Sequence, residues 1–251
     1  MKTIKSKNKA VLISVRSDSV RLPNKCFMTI NGRYVLEHVI DRAKEVGVKV
    51  ILCTTDRDVD DKIEGIAYRN DIVCYRGSLN DKLLRWFGAC TTHKVDYFVT
   101  FDADDLFCDI SLMNLGLSMV SNFGFGIVRS PKDLICGAFT YAMSVKQLAA
   151  IVTKKNSSNT QMIDEFIDPF SPHELFPINK EMINKDIRLT LDYPVDYDFF
   201  VKVFEKMKIK KNIIPTYDIV MFLKKHKELI EINSFKMKEW KENQDDQKRS
   251  V

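Results

Sequence analysis

The stretch AVLISVRSDSVRLPNK occupies residues 10–25, near the start of the chain. Its first six residues form a short apolar run with three β-branched side chains, which suits a strand buried on both faces of a sheet. The run gives way at once to a loop holding Arg16, Arg21 and Lys25 and no glycine. Loops that cradle phosphate after a first strand usually carry glycine, so that backbone amides can approach the oxygens. Guanidinium and ammonium groups take that place here, and the loop reads as an anion site built from side chains. Any one of these cations alone reads as a solvated loop residue; three together at a strand end favour the site.

Outward from this strand, short apolar runs alternate with segments of helical period. Strands are expected at Ala10–Val15, Lys49–Thr55, Asp71–Tyr75 and Asp96–Phe101, with helices at Tyr34–Val46, Val59–Tyr68 and Asn80–Thr91. This β-α-β-α-β-α-β order predicts an α/β fold with a mostly parallel central sheet and flanking helices, whose ligands bind beyond the carboxyl ends of the strands. In the second half, GFGIVRS (residues 124–130) and GAFTYAMS (137–144) suggest added antiparallel strands, and KKNSSNT (154–160) a surface loop. DIRLTLDYPVD (186–196) reads as a strand ending in a turn. The following stripe of Phe199, Phe200, Val203, Phe204 and Met207 belongs to a helix packed on the core. Thr216, after Pro215, is the expected N-cap of a further helix to about Lys225. One domain is expected over residues 1–235, with a small inserted β region at about 124–180, and the polar tail 236–251 is expected to fray.

Composition narrows the function. With 251 residues, 45% hydrophobic and 29% charged, the chain is long enough to bury a sizeable core. Lys and Arg number 39 against 34 Asp and Glu, a net charge of +5, too balanced for a dedicated nucleic-acid binder. No apolar run approaches the roughly 20 residues that cross a bilayer, so no membrane is expected. The basic start MKTIKSKNKA lacks the apolar core of a signal peptide. Six cysteines without a C-x-x-C pair read as free thiols in a reducing compartment, which predicts a cytoplasmic protein.

The run DYFVTFDADD carries a strand into Asp102, Asp104 and Asp105, delivering carboxylates to the carboxyl edge of the sheet. Asp105 or Asp109 suits the N-cap of a helix beginning near Ile110. Asp104 has a counterpart in Asp192, at the end of RLTLD, and two carboxylates at neighbouring strand ends make a hard oxygen site suited to Mg²⁺ with substrate phosphates. A positive loop facing a metal-binding pair is what nucleoside triphosphate chemistry requires. Among other candidates, His173 in SPHE stands evenly between an acceptor contact and an idle surface residue. His38, Trp86 and Phe87 read as structural.

Taken together, R-x-x-S-x-R-L-P-x-K (Arg16–Lys25), R-G-S-x-x-D-x-L-x-R (Arg76–Arg85), Ala103-Asp104 and R-L-T-L-D-x-P (Arg188–Pro194) resemble the cytidylyltransferase family. Within it the chain is most similar to the spore-coat-polysaccharide SpsF-like branch, and more distantly to the CMP-sugar-acid synthetases. The resemblance spans about residues 9–233. It implies a Rossmann-like nucleotidyltransferase fold, and transfer of CMP from CTP to an anionic sugar or related phosphate or acid, with Mg²⁺ as cofactor and pyrophosphate released. It also implies a homodimer and a place in polysaccharide biosynthesis. It puts Arg16 and Lys25 on the triphosphate with Arg21 close by, makes Asp104 and Asp192 metal ligands beside Asp102, and places Arg76 and Ser78 near the base. Two departures stand out: Asp18 and Asn24 occupy loop positions where the family usually has glycine, and G-A-F-T-Y (137–141) replaces the branch's G-L-D-V-E. Two rivals are a nucleotide-sugar-dependent glycosyltransferase using Asp102-Ala103-Asp104 as its metal motif and a non-catalytic nucleotide-binding protein.

Overall fold

A computed structural model describes residues 7–249. The basic residues 1–6 and the last two residues of the tail lie outside the described part. In chain order the elements are β1 (Lys9–Ser14), the short hairpin β2 (Thr29–Ile30) and β3 (Arg33–Tyr34), α1 (Val35–Lys44), β4 (Lys49–Thr55), α2 (Asp61–Arg69), β5 (Val73–Gly77), α3 (Lys82–Thr92) and β6 (Tyr97–Asp102). There follow α4 (Ile110–Asn122), β7 (Ile127–Arg129), β8 (Tyr141–Ser144), α5 (Val145–Lys154), α6 (Asp164–Ile167), β9 (His173–Glu174), α7 (Pro194–Lys206), α8 (Thr216–Lys225), α9 (Lys227–Ile230) and α10 (Lys236–Arg249).

Seven strands form one sheet in the order β5, β4, β1, β6, β8, β7, β9. β1 pairs in parallel with both β4 and β6, and β4 with β5, whereas β8 runs antiparallel to β6 and β7. β1 is central because its residues Ala10 to Ile13 are fully buried, fed by apolar helix stripes from both faces. On one face lie Val35, Leu36, Val39, Ile40 and Ala43 of α1 with Phe199, Phe200 and Val203 of α7. On the other lie Leu83, Trp86 and Ala89 of α3 with Leu148 and Ile151 of α5. Each of the Val, Leu, Ile and Phe side chains among them stabilises the fold by about 1.5–3 kcal/mol, and truncating Ile40 to Ala would cost about 2–5 kcal/mol.

The register positions the site: Ser14 lies opposite Asp102 across the β1–β6 pair, so the cationic loop and the acidic turn leave the sheet side by side. The order of strands reverses at this point, which is where open α/β sheets hold ligands.

Four local expectations need correction. Arg188–Leu191 alternates like a strand but joins the sheet nowhere; it makes a bridge to Cys136 and passes its Leu191 N–H to the Asp104 carbonyl at 2.8 Å. Its buried Leu189 and Leu191 produced the alternation by packing, without a neighbouring strand on either side. Only Tyr141–Ser144 of the GAFTYAMS segment is strand. Thr216 is the first helical residue of α8 and not its cap, because its Oγ1 is spent on the Arg42 guanidinium at 2.8 Å and the Phe107 carbonyl at 2.9 Å. The tail does not fray between Lys236 and Arg249: it forms α10, held by Trp240, whose ring stacks on Arg188 with 5.5 Å from guanidinium to centroid. Asp109, and not Asp105, caps α4 by accepting from Leu112 N–H at 2.9 Å.

Candidate active site

The loop after β1 keeps its shape through a residue far along the sequence. Asp60 is fully buried and accepts from the Ser17 N–H at 2.8 Å, the Ser17 hydroxyl at 2.7 Å and the Thr55 hydroxyl. Burial raises its pKa, but the bonds from Thr55 and Ser17 outweigh that and hold the carboxyl below its ordinary value. The loop then turns back on itself, Asn24 N–H donating to the Ser17 carbonyl at 3.0 Å. Asn24 sits in the left-handed region at φ 57°, the conformation that a glycine would otherwise supply and that Asn tolerates. Asp18 does something else: it pairs with Arg57 at 2.7 Å and with Arg16 at 3.4 Å.

At the loop's far end, Lys25 joins the two carboxylates. Its ammonium lies 2.5 Å from Asp104 Oδ2 and 3.0 Å from Asp192 Oδ1, and donates to the Leu191 carbonyl at 2.9 Å. Arg21 reaches the same Asp192 oxygen at 2.7 Å, while Arg188 takes the other at 3.1 Å and is itself held by Asp196. Burial pushes the Asp192 carboxyl up, yet Lys25 and Arg21 pull harder and leave it well below the usual carboxylate range. At Asp104 burial prevails over Lys25, and the carboxyl is raised. For Lys25 burial works downward, but Asp104 and Asp192 together raise the ammonium's pKa. The loop of Gly137 (φ 86°) can pack against this segment only because glycine has no side chain: a Cβ there would meet the Leu189 carbonyl oxygen at 2.5 Å.

These groups line one crevice of about 1170 Å³ along the carboxyl ends of β1 and β6. Of the residues the sequence singled out, Arg16, Arg21, Lys25, Asp102, Asp104 and Asp192 meet there. Arg76, Ser78 and His173 do not line it. Arg76 pairs with Asp61 at 2.6 Å and Glu64 at 3.1 Å on the outer edge, the Ser78 hydroxyl accepts from the Asp81 N–H, and His173 stacks on Phe125 at 4.4 Å.

Sequence reasoning missed several wall residues. Lys82 pairs with Asp102 at 2.7 Å. Arg85, only 3% exposed, lies at the start of α3. Across the crevice stand Arg129, paired with Asp168 and Glu174, and Tyr141, whose hydroxyl donates to Asp164. Met237, Trp240 and Asn243 of α10 close one end, Asn243 donating to the Tyr193 hydroxyl at 3.1 Å. For Arg85 the motif at Arg76–Arg85 was the available signal; for α10 only the i, i+3 pair Met237 and Trp240.

The donor set can be tested for a divalent cation from the position of Lys25. One ammonium nitrogen touches two carboxylate oxygens and a backbone carbonyl within 3.0 Å. Hard oxygens converging on a single cationic centre at a ligand crevice suit Mg²⁺, which typically takes one or two carboxylates and completes its shell with water and phosphate. The residues fit such an ion once Lys25 turns to another anion.

A charged crevice at the strand ends of a mostly parallel sheet is the arrangement of a nucleotidyltransferase, the class to which comparison with known proteins assigns this chain. The family model described as Cytidylyltransferase matches residues 10–209, and the chain belongs to that family. It is 26% identical over 231 residues to an uncharacterized protein of Methanocaldococcus jannaschii, covering 89% of this chain and 93% of that one. A shorter match, 38% over 58 residues and 23% of each chain, is to a 3-deoxy-manno-octulosonate cytidylyltransferase of Alteromonas mediterranea. Among solved structures, a cytidylyltransferase from Leptospira borgpetersenii superposes with a TM-score of 0.79 at 22% identity, over 90% of this chain and 97% of that one. A CMP:2-keto-3-deoxy-manno-octonic acid synthetase complexed with CTP gives 0.60 at 14% identity, over 80% and 100%. Both structures share the fold, and no helix among the described residues is long and apolar enough to cross a membrane.

Proposed function

We propose that the protein transfers CMP from CTP to a small anionic acceptor, a sugar acid, a sugar phosphate or a related phosphate or acid, and releases pyrophosphate. The observation that carries this reading is the Lys25 ammonium bridging Asp104 and Asp192 beside Arg16 and Arg21, which sets triphosphate cations against a hard oxygen pair in one crevice. An acceptor oxygen attacks the α-phosphorus, the bond from that phosphorus to the bridging oxygen breaks, and the electron pair leaves with pyrophosphate. Arg16, Arg21 and Lys25 hold the departing phosphates and neutralise the charge that grows there. The Nε of Arg21 is buried without a hydrogen-bond partner and is available to a phosphate oxygen. Asp104 and Asp192 would hold Mg²⁺, which when bound supplies a Lewis acid for the α-phosphoryl oxygen. No covalent intermediate is needed; the chain contributes position and charge.

The opposite wall, with Arg129, Tyr141 and the lysines of its rim, receives the acceptor. Asp102 orients Lys82 at the boundary between the halves. The exposed Phe176 and Ile178, just beyond the edge strand β9, suit a homodimer contact. A cytoplasmic enzyme supplying activated sugars for polysaccharide biosynthesis fits this acceptor class and the six free cysteines.

The test is a pyrophosphate-release screen with each ribonucleoside triphosphate against a panel of sugar acids, sugar phosphates, polyol phosphates and phosphonates. Release with CTP alone, abolished by chelator, is expected. Acceptor turnover with a nucleotide sugar and without pyrophosphate would overturn the reading in favour of glycosyl transfer.

A further inference from the structure

The nucleotide half of the crevice contains a guanidinium whose principal donor edge is unused. Arg85 lines the crevice yet is 3% exposed, beneath its surface at the first turn of α3. Its Nη1 donates to the carbonyls of Ser78 and Leu79, which fixes the plane of the group. Its Nε is buried and has no hydrogen-bond partner. Nη2 makes no hydrogen bond among the described residues and is not fully buried. Nε–H and the adjacent Nη2–H point the same way, as a fork of two parallel donors that matches two neighbouring acceptors. A buried donor left unmatched costs about as much as a lost hydrogen bond, so the edge is built for a visitor.

The Ser78–Asp81 turn has further anchors besides this arginine. Gln161 donates to the Leu79 carbonyl at 2.8 Å, Thr160 N–H to the Asn80 carbonyl at 3.0 Å, and Lys155 and the Thr160 hydroxyl bond to Asp81. Arg76, the residue expected near the base, is engaged by Asp61, Glu64 and the carbonyls of Thr55 and Arg57.

We propose that Arg85 reads the cytosine, its Nε and Nη2 donating to O2 and N3. The proposal rests on the assignment of CTP as substrate and goes beyond it by naming the selecting group. Cytosine presents O2 and N3 as adjacent acceptors, whereas uracil carries a hydrogen on N3 that would face a donor. A site built to hydrogen-bond one edge rejects the analogue whose edge is mismatched. The phosphates are left to Arg16, Arg21 and Lys25 of the loop after β1.

The test is calorimetric binding of CTP, UTP and inorganic pyrophosphate to the intact protein and to Arg85→Gln and Arg85→Lys, which needs no acceptor. Wild type is expected to prefer CTP to UTP. Arg85→Gln is expected to lose roughly 10- to 100-fold in CTP affinity, the scale of one bidentate contact to a base, with UTP and pyrophosphate nearly unchanged. Arg85→Lys keeps the charge without the fork and should lose the same preference, so it decides the matter if the glutamine variant does not fold. A CTP preference that survives in a folded variant overturns the proposal alone, and so does an equal fall in pyrophosphate affinity, which would place the fork on phosphate. A wild-type protein that binds CTP and UTP equally overturns the CTP assignment and this proposal with it.

Discussion

On the β1 side of the crevice, Lys25, Arg21, Arg188, Asp104 and Asp192 form one buried network in which a single ammonium touches three oxygens. On the opposite rim, Lys132, Lys185 and Lys241 are exposed and form no ion pair among the described residues. The first wall is fixed during folding, since its charges are desolvated and lose much if any one is removed. The second keeps flexible, hydrated cations that can adapt to a ligand. Under the proposed CMP transfer, the difference separates the constant and the variable parts of the chemistry: a triphosphate of unchanging shape would sit on the rigid wall and an acceptor on the adaptable one.

Breaking the rigid wall should have the largest effect. Asp192→Asn removes the carboxylate shared by three cations, and pyrophosphate release is expected to fall by at least ~100-fold, as when one preorganised electrostatic contact is lost. Full turnover in that variant would mean that the network serves folding only. Asp60→Ala tests the same wall at its anchor. It strands the Ser17 N–H and the Ser17 and Thr55 hydroxyls, and should lower stability by about 2 kcal/mol in urea denaturation while weakening CTP. An unchanged urea midpoint would show that the loop holds itself.

The adaptable wall sharpens the contrast from the other side. Trp240→Ala removes the ring at the crevice end, and is expected to raise the acceptor KM by roughly 5- to 10-fold, the scale of a partly exposed cation–π and packing contact, with the CTP KM unchanged. A change in CTP KM instead would move α10 to the nucleotide's side of the comparison.

The smallest effect lies away from both walls, at His38, whose Nε2 is 2.9 Å from the Ile30 carbonyl oxygen. Burial lowers its pKa, so between its folded value and the unfolded value of about 6.5 the unfolded chain binds a proton that the folded chain does not. Stability should therefore decline as pH falls through 6.5, level off below the folded pKa, and show a weaker decline in His38→Gln. Urea midpoints at pH 7.5 and 5.5 for both proteins check this; equal slopes would show that His38 contributes nothing.

What the sequence made legible follows the same division. The strands and helices of the first half announced themselves through apolar runs and helical period because both faces of a parallel sheet must be covered. The cations of residues 16–25 and the carboxylates at 102–104 were legible because a strand delivers them to a known edge. Arg188–Leu191 misled because alternating apolar residues report burial and say nothing of a partner strand; its Arg188 and Thr190 are buried as well. Asp60 was silent: a buried polar residue within a polar string looks like any solvated one until tertiary contacts surround it. The helix α10 was hidden by its composition, since one aromatic and one methionine hold fourteen largely charged and amide-bearing residues to the fold.

The two tryptophans of the chain occupy opposite optical environments. Trp86 is fully buried under the crevice floor, its indole N–H donating to the Ser14 hydroxyl at 2.8 Å. Trp240 is half-buried at the crevice end, beside a guanidinium and within reach of water. An indole shielded from water emits to the blue of one that solvent can relax around, so the protein's intrinsic fluorescence separates into an inner and an outer component. The red edge of the spectrum then follows events at the mouth of the crevice, the blue edge reports the integrity of the β1 floor, and one emission scan distinguishes ligand arrival from unfolding with no added dye.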